Sequence, residues 1–246
     1  MSASGLYREQ GVVLRTYRLG EADRIVVLLT QGEGKVRAVA KGVRKTKSRF
    51  GGRLEPFSHV DLSLYRGRGE LDTVTQVEVI GPFRSLREDY DLVVAGTAML
   101  EAVDQVAQER EAAVRIYLLL VRALRALDGG PRDPSVVLDA FLLKLMALEG
   151  YRPSLAECAG CGGPGPYLRF SIARGGALCE RCRSGTESTL DERTVPLLAE
   201  LLGGDMERAA AAAPPRTPRR EAGTVVKSFV EYHLDRRLRS YPMVAR

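Results

Sequence analysis

No Gly-x4-Gly-Lys-Ser/Thr segment occurs in the 246 residues, which excludes the phosphate cradle of a P-loop ATPase. There is no His-x-Glu ahead of a Pro-Cys-x-x-Cys, so the zinc deaminase signature is missing. A Gly-x-Ser-x-Gly elbow and a His-Glu-x-x-His helix are missing too. Histidine is scarce: His59 and His233 are the only two. Both stand far in sequence from any cysteine and are expected as packed or surface side chains, not ligands. Acidic pairs such as Glu88-Asp89 and Asp191-Glu192 fall at helix starts, where charge–dipole capping accounts for them. The sequence therefore holds no catalytic constellation, and a non-enzymatic protein is expected. No run approaches the ~18–20 apolar residues of a bilayer span, and MSASGLYREQ lacks the apolar centre of a secretory leader. A soluble, cytoplasmic protein is expected. Cysteine occurs four times, always between 158 and 182, so none is left to staple the rest of the chain.

Acid is missing from one stretch in particular. Between Lys35 and Leu54 there are eight basic residues and no carboxylate: Lys35, Arg37, Lys41, Arg44, Lys45, Lys47, Arg49 and Arg53. Its first part alternates. Val36, Ala38 and Ala40 can face a core while Lys35, Arg37 and Lys41 share the other face, because strand side chains alternate. After Gly42 the alternation stops, and Gly51-Gly52 closes a basic, exposed loop. A charged strand face running into a charged loop suits a polyanion. The plainer alternative is a solvated face with a mobile loop, but a run of eight cations without an acid favours nucleic acid. The whole chain carries +6, unevenly spread: 14 basic and 9 acidic residues over 1–80, against 8 and 11 over 81–150. That pattern describes a localised anion-binding surface.

Residues 9–80 read as five short strands: Gly11–Leu19, Arg24–Leu29, Lys35–Lys41, Val60–Tyr65 and Leu71–Ile80. Gly32-Glu33-Gly34 makes the second hairpin turn. Five antiparallel strands in this length suit a small barrel of the oligonucleotide/oligosaccharide-binding type; an open sheet or an SH3-like barrel fits the same pattern. After Pro82 the 3.6-residue period takes over. Helices are expected at Leu92–Val106, at Ala112–Leu127 as the central one, and from Asp133-Pro134, a good N-cap with Pro at N1, to Glu149 before Gly150. Glu192–Leu202 follows. Met206–Arg220, with five alanines and three prolines, reads as a helix end and stiff linker. A last amphipathic helix covers 221–239. The expected class is α+β and multidomain: a barrel over 1–80 and an α-helical domain over 81–246, interrupted at 153–185.

That interruption holds Cys158-Ala-Gly-Cys161 and Cys179-Glu-Arg-Cys182, two C-x2-C pairs separated by 17 residues. Two such knuckles supply the four thiolates of a tetrahedral structural Zn2+, with Zn–S ~2.3 Å. Two disulfides or a redox pair are the alternatives. An intracellular chain argues against the first, and the lack of a thioredoxin-like strand-to-helix setting against the second. A four-cysteine site is coordinatively closed, so the metal would hold up a ribbon and perform no chemistry.

The run Leu19-Gly20-Glu21-Ala22-Asp23-Arg24-Ile25-Val26, then Gly34-Lys35, Ala40-Lys41-Gly42-Val43-Arg44-Lys45 and Lys47-Ser48-Arg49-Phe50-Gly51-Gly52-Arg53-Leu54-Glu55-Pro56-Phe57, resembles the N-terminal signature of the RecO family of bacterial recombination mediators. The resemblance is close over residues 10–80 and looser beyond. It implies an oligonucleotide-binding barrel, binding of single- and double-stranded DNA, annealing of complementary strands, and a nucleoid-associated place in DNA repair. It further implies cooperation with RecR in loading the recombinase RecA onto strands covered by single-stranded-DNA-binding protein. Arg15, Arg18, Arg24, Arg66 and Arg68 extend the expected DNA surface, with Tyr65 and Phe50 as candidates for stacking on bases. Arg219, Arg220, Lys227, Arg236, Arg237 and Arg239 offer a second basic surface, or a solvated one. Three other functions share these features: an RNA-binding barrel and zinc-ribbon factor of translation or transcription, a metal-dependent nuclease, and a scaffold without DNA affinity.

Overall fold

The computed structural model describes residues 5–185 and 187–244. It is a mixed α+β structure that divides into two compact units. One holds the chain through Arg84 together with Leu100–Leu124; the other holds Ser85–Met99 and the chain from Arg125 onward.

In the first unit the strands are β1 (Gly5–Leu19), β2 (Asp23–Thr30), β3 (Gly34–Ala40), β4 (His59–Arg66) and β5 (Asp72–Gly81). They pair in the order β1-β2-β3-β5-β4, and β4 pairs back onto β1, closing a barrel. Every pairing is antiparallel except β3–β5, where Ala38 meets Asp72 and Val39 meets Thr73. The alternation read in β3 holds: Val36, Ala38 and Ala40 join Val13, Val26, Leu28, Val60, Leu62, Leu64 and Val74 in the core. β1 starts six residues before the expected Gly11. Its added half pairs with β4, from Gly5 opposite Arg66 to Val12 opposite His59. Arg8, exposed on that half, bonds Asp61 across the pair at 2.8 Å. The basic loop sends two apolar side chains back into the barrel. Phe50 precedes the 3-10 turn Gly51–Leu54 and Leu54 ends it, and both are buried in the core.

The strands are braced by residues 107–111, part of the same unit. Lys35 N–H donates to the Gln108 carbonyl at 3.1 Å, and Arg110 N–H to the Lys35 carbonyl at 3.2 Å. Gly34 sits at φ +65°, and a Cβ there would lie 1.7 Å from the Glu111 carbonyl oxygen, so only glycine admits this strap. Arg110 anchors it with an ion pair of 2.8 Å to Asp72, which is fully buried. The Tyr7 hydroxyl donates to the same carboxylate. Burial, then that bond to Asp72, pushes the Tyr7 phenol up to about 12. The native state therefore favours the protonated phenol. This stabilisation is complete below the ordinary tyrosine value of ~10 and is lost as pH rises through about 12. Unfolding curves of the wild-type protein and Tyr7→Phe should show it: the wild type loses more stability between pH ~10 and ~12, and parallel curves would refute it.

In the second unit, α4 (Pro134–Leu148) is the central helix, with eleven buried side chains, from Ser135 to Met146. The role expected for Ala112–Leu127 falls to α4 here. Its start is as read: the Asp133 side chain accepts the Ser135 N–H, and Pro134 opens the first turn. The chain turns out of it at Gly150, φ +91°. Around α4 pack α5 (Thr194–Gly203), α6 (Met206–Ala211) and α7 (Arg216–Leu234). The short α1 (Arg84–Glu88) was not foreseen; α2 (Tyr90–Val106) and α3 (Val114–Asp128) lie close to their expected spans. α7 begins five residues before the expected 221, because the turn from Arg216 is helical and buries Pro218, Arg219 and Ala222 on one side. It ends at Leu234, before Asp235 in the left-handed region at φ +50°.

Candidate nucleic-acid interface and metal centre

The thirteen cations expected at the interface separate into two groups. Five are held by carboxylates of their own unit. Arg15 pairs with Asp104 at 2.9 Å, Lys35 with Asp104 at 3.6 Å, and Arg24 with Glu55 at 2.5 Å. Arg37 lies 2.9 Å from Glu109 and 3.2 Å from Glu70. Arg66 pairs with Glu33 and lies over the Tyr7 ring. Thus the rigid strand face, Lys35 and Arg37 above all, is largely neutralised from within.

The other eight have no carboxylate partner among the described residues: Arg18, Lys41, Arg44, Lys45, Lys47, Arg49, Arg53 and Arg68, all exposed. Six of them lie in the loop between β3 and β4. Arg44 binds the loop to the β1–β2 turn, donating to the Gly20 and Glu21 carbonyls at 3.3 and 2.8 Å. Arg53 donates to the Arg49 carbonyl at 3.2 Å. Together Arg49 and Arg53 wall a groove of about 570 Å³ against Thr75, Gln76 and Val77 of β5. The loop is therefore a shaped basic ridge and not a featureless tether. Arg68 stands apart, in the β4–β5 connection.

Two expectations about side chains need correction. Phe50 cannot stack on a base: it is buried in the barrel core. A phenylalanine between arginine and two glycines looks solvent-facing in sequence, but the 3-10 turn points it into the barrel. Arg219 is no part of a second basic surface. It is 5% exposed and bonds Asp139 at 2.6 Å and Asp133 at 3.2 Å. Arg220, Arg236, Arg237 and Arg239 are exposed, and Lys227 is half-buried. Of the aromatic candidates Tyr65 remains exposed. Tyr17 was missed; it too is exposed, and Arg15 lies over its ring at 4.9 Å. The signal was available, since Arg15, Tyr17 and Leu19 alternate with the opposite face.

His59 is buried, its Nε2 2.7 Å from the Tyr117 hydroxyl. His233 packs between aromatic rings, stacked on Tyr151 at 4.4 Å and edge-on to Phe229, and burial pushes its imidazole down. Neither approaches a metal-ligand role.

Cys158, Cys161, Cys179 and Cys182 converge. Their sulfurs lie within 4.8 Å of one another, in a module whose hairpin is β6 (Arg169–Ser171) and β7 (Gly176–Leu178). The Cys161–Cys179 sulfur distance is 3.8 Å, the edge of a tetrahedron with metal–sulfur bonds of ~2.3 Å. Backbone N–H groups of Gly160 and Cys179 point at the Cys158 sulfur from 3.4 and 3.3 Å. A Cβ on Gly160 would lie 3.0 Å from the Cys182 sulfur. The Cys179 N–H, ahead of the Gly160 N–H, brings the Cys158 thiol down to about 6. Cys182 is pushed up to about 12, because bonds with Cys161 and Cys179 hold its proton. Four sulfurs at these distances favour partial deprotonation, and a bound cation would complete it. The donor set fits a metal ion.

The chain matches the family described as Recombination protein O N terminal over residues 1–83 and Recombination protein O C terminal over residues 87–242. The DNA repair protein RecO of Nocardioides sp. is 50% identical, covering 98% of this chain and 100% of its own length. Those of Frankia casuarinae and Thermobifida fusca are 48% and 47% identical, each across 98% of this chain and 99% of the relative.

Proposed function

The chain belongs to the RecO family of DNA repair proteins, and from that premise we propose that it binds single- and double-stranded DNA through a barrel of the oligonucleotide-binding type and anneals complementary strands. With RecR it would help load RecA onto strands coated by single-stranded-DNA-binding protein. The observation that carries this reading is the ridge of exposed cations from Lys41 to Arg53 without a carboxylate partner among the described residues. Such a ridge follows a phosphate backbone and reads no sequence. Annealing needs that much: cations that screen the repulsion between two strands, with no bond made or broken. The strand order and the parallel β3–β5 pairing support the barrel type. For the four cysteines we propose a structural Zn2+, which binds thiolates tetrahedrally and holds the ribbon in shape.

The DNA interface is proposed at all thirteen cations, with unequal weight. Each loop cation that meets a phosphate releases counterion. Converting Lys45, Lys47, Arg49 and Arg53 to glutamine should weaken binding and flatten its salt dependence by about 0.7 per lost contact on single strands and about 0.9 on duplex. Lys35→Gln and Arg37→Gln should flatten it far less, because Asp104 and Glu109 already neutralise those charges. Affinity titrations across a salt series decide this, and an unchanged slope in the loop variant would sink the assignment. The annealing claim is checked with complementary oligonucleotides, bare and protein-coated, with and without RecR.

A further inference from the structure

The outward face of the first three strands carries a row of side chains that neither the barrel core nor the ion pairs use. The pairings set Tyr17 opposite Ile25, and Ile25 opposite Val39. All three point away from the interior, which takes Val26, Ala38 and Ala40 instead. Tyr17 is 42% exposed; Ile25 and Val39 are half-buried.

The row is bounded on both sides. Two residues further along lies Arg15–Val27–Arg37, where Val27 is buried and the arginines are held by Asp104 and Glu109. On the other side, Leu19 faces Asp23, whose carboxylate is occupied by the Gly42 N–H at 2.7 Å. Lys41 follows β3 at that end, exposed and without an ion pair among the described residues. Arg44 fixes the start of the basic loop to the β1–β2 turn. So an open apolar row containing one aromatic ring adjoins the unpaired cations of the ridge.

We propose that Tyr17, with Ile25 and Val39, is a stacking platform for the unpaired bases of a single strand whose phosphates follow the ridge. This rests on the DNA-binding reading above and adds what discriminates between its two ligands. An unpaired base has a π-face to offer a phenol ring; in a duplex the faces are stacked on one another, and only phosphates, sugars and base edges are presented. The occupant is argued from the cations beside the row, which suit a polyanion better than an apolar peptide. Arg15 makes the platform rigid. Its guanidinium is tied to Asp104 at 2.9 Å and lies over the Tyr17 ring at 4.9 Å, so the ring need not be ordered on binding.

The test uses the full chain with three probes of equal charge per strand: a thymidine oligonucleotide of about 16 residues, the same backbone built of abasic residues, and a duplex. The wild-type protein should bind the thymidine strand more tightly than the abasic one, a comparison that needs no variant. Tyr17→Ala should lower affinity for the thymidine strand about tenfold, or ~1.4 kcal/mol, while leaving abasic and duplex affinities within twofold. Tyr17→Phe, which keeps the ring, should restore thymidine binding. Equal wild-type affinity for thymidine and abasic strands would overturn the platform, as would a loss in Tyr17→Ala shared by all three probes. If the wild-type protein bound none of them, the DNA-binding reading itself would fall, and the platform with it.

Discussion

On the structural-metal proposal, Cys158→Ser is expected to abolish metal binding and unfold the segment around residues 151–185. The module has little else to hold it. Its hairpin is two strands of three residues each, and an isolated hairpin of that size is marginal in water. Its cluster is Cys158, Leu178 and Cys179, with Ala159, Tyr167 and Cys182 against it. Half of that small core is ligand. A structural Zn2+ contributes on the order of 10 kcal/mol to the folding of such a module, which exceeds anything these apolar contacts supply at ~25 cal/mol per Å² buried. The damage will spread, because Phe170 of β6 packs edge-on to Phe229 of α7 with ring centroids 5.9 Å apart. A fall in melting temperature on the order of 10 °C is expected, with chelator producing a similar fall in the wild-type protein. Metal analysis beside thermal unfolding checks both halves. A soluble, metal-free Cys158→Ser protein melting with the wild type would refute the structural-metal assignment.

Some of this architecture is plain in the sequence because it depends on near neighbours. The period of two in Lys35–Ala40, the Asp133-Pro134 cap, the turn at Gly150 and the spacing of the four cysteines each encode their outcome within a few residues. What was not legible is pairing over distance. Lys35 and Lys45 are the same residue type in one basic run, yet only Lys35 meets a carboxylate, and that partner lies 69 residues downstream. Sequence fixes charge but not whether it is already spent. The same holds for Tyr17 and Phe50. Each is an aromatic beside an arginine, and strand parity sends one outward while a 3-10 turn sends the other inward. Arg219 is the sharpest case. It follows alanines and prolines that suggest a linker, and its acceptors come from α4, some 80 residues earlier. Nothing local distinguishes it from exposed Arg220.

That burial sets up the second large effect. Arg219 Nη1 donates to Asp139 at 2.6 Å, Nε to Asp133 at 3.2 Å, and Nη2 to the Ser135 hydroxyl. Asp139 is fully buried and also accepts from the Tyr241 hydroxyl at 2.5 Å, tying the residues after α7 to α4. The neighbouring carboxylates favour the charged guanidinium and outweigh the cost of its burial, so its pKa lies above the ordinary arginine value. Removing one partner leaves the other charge buried without compensation. Arg219→Met should therefore cost ~3–5 kcal/mol, enough to lower the melting temperature by roughly 10 °C in a chain of this size. Burying a matched pair is expensive in itself, so the double variant Arg219→Met/Asp139→Leu should recover most of the loss. Denaturant unfolding of the two single variants and the double variant measures this coupling directly. Additive losses would show that the pair is not a unit. The same double variant separates structure from DNA binding. An arginine 5% exposed cannot reach a DNA phosphate, so the folded double variant should bind DNA with unchanged affinity and salt slope. Arg220→Gln is the companion measurement, because only an exposed cation on α7 could contribute a contact there.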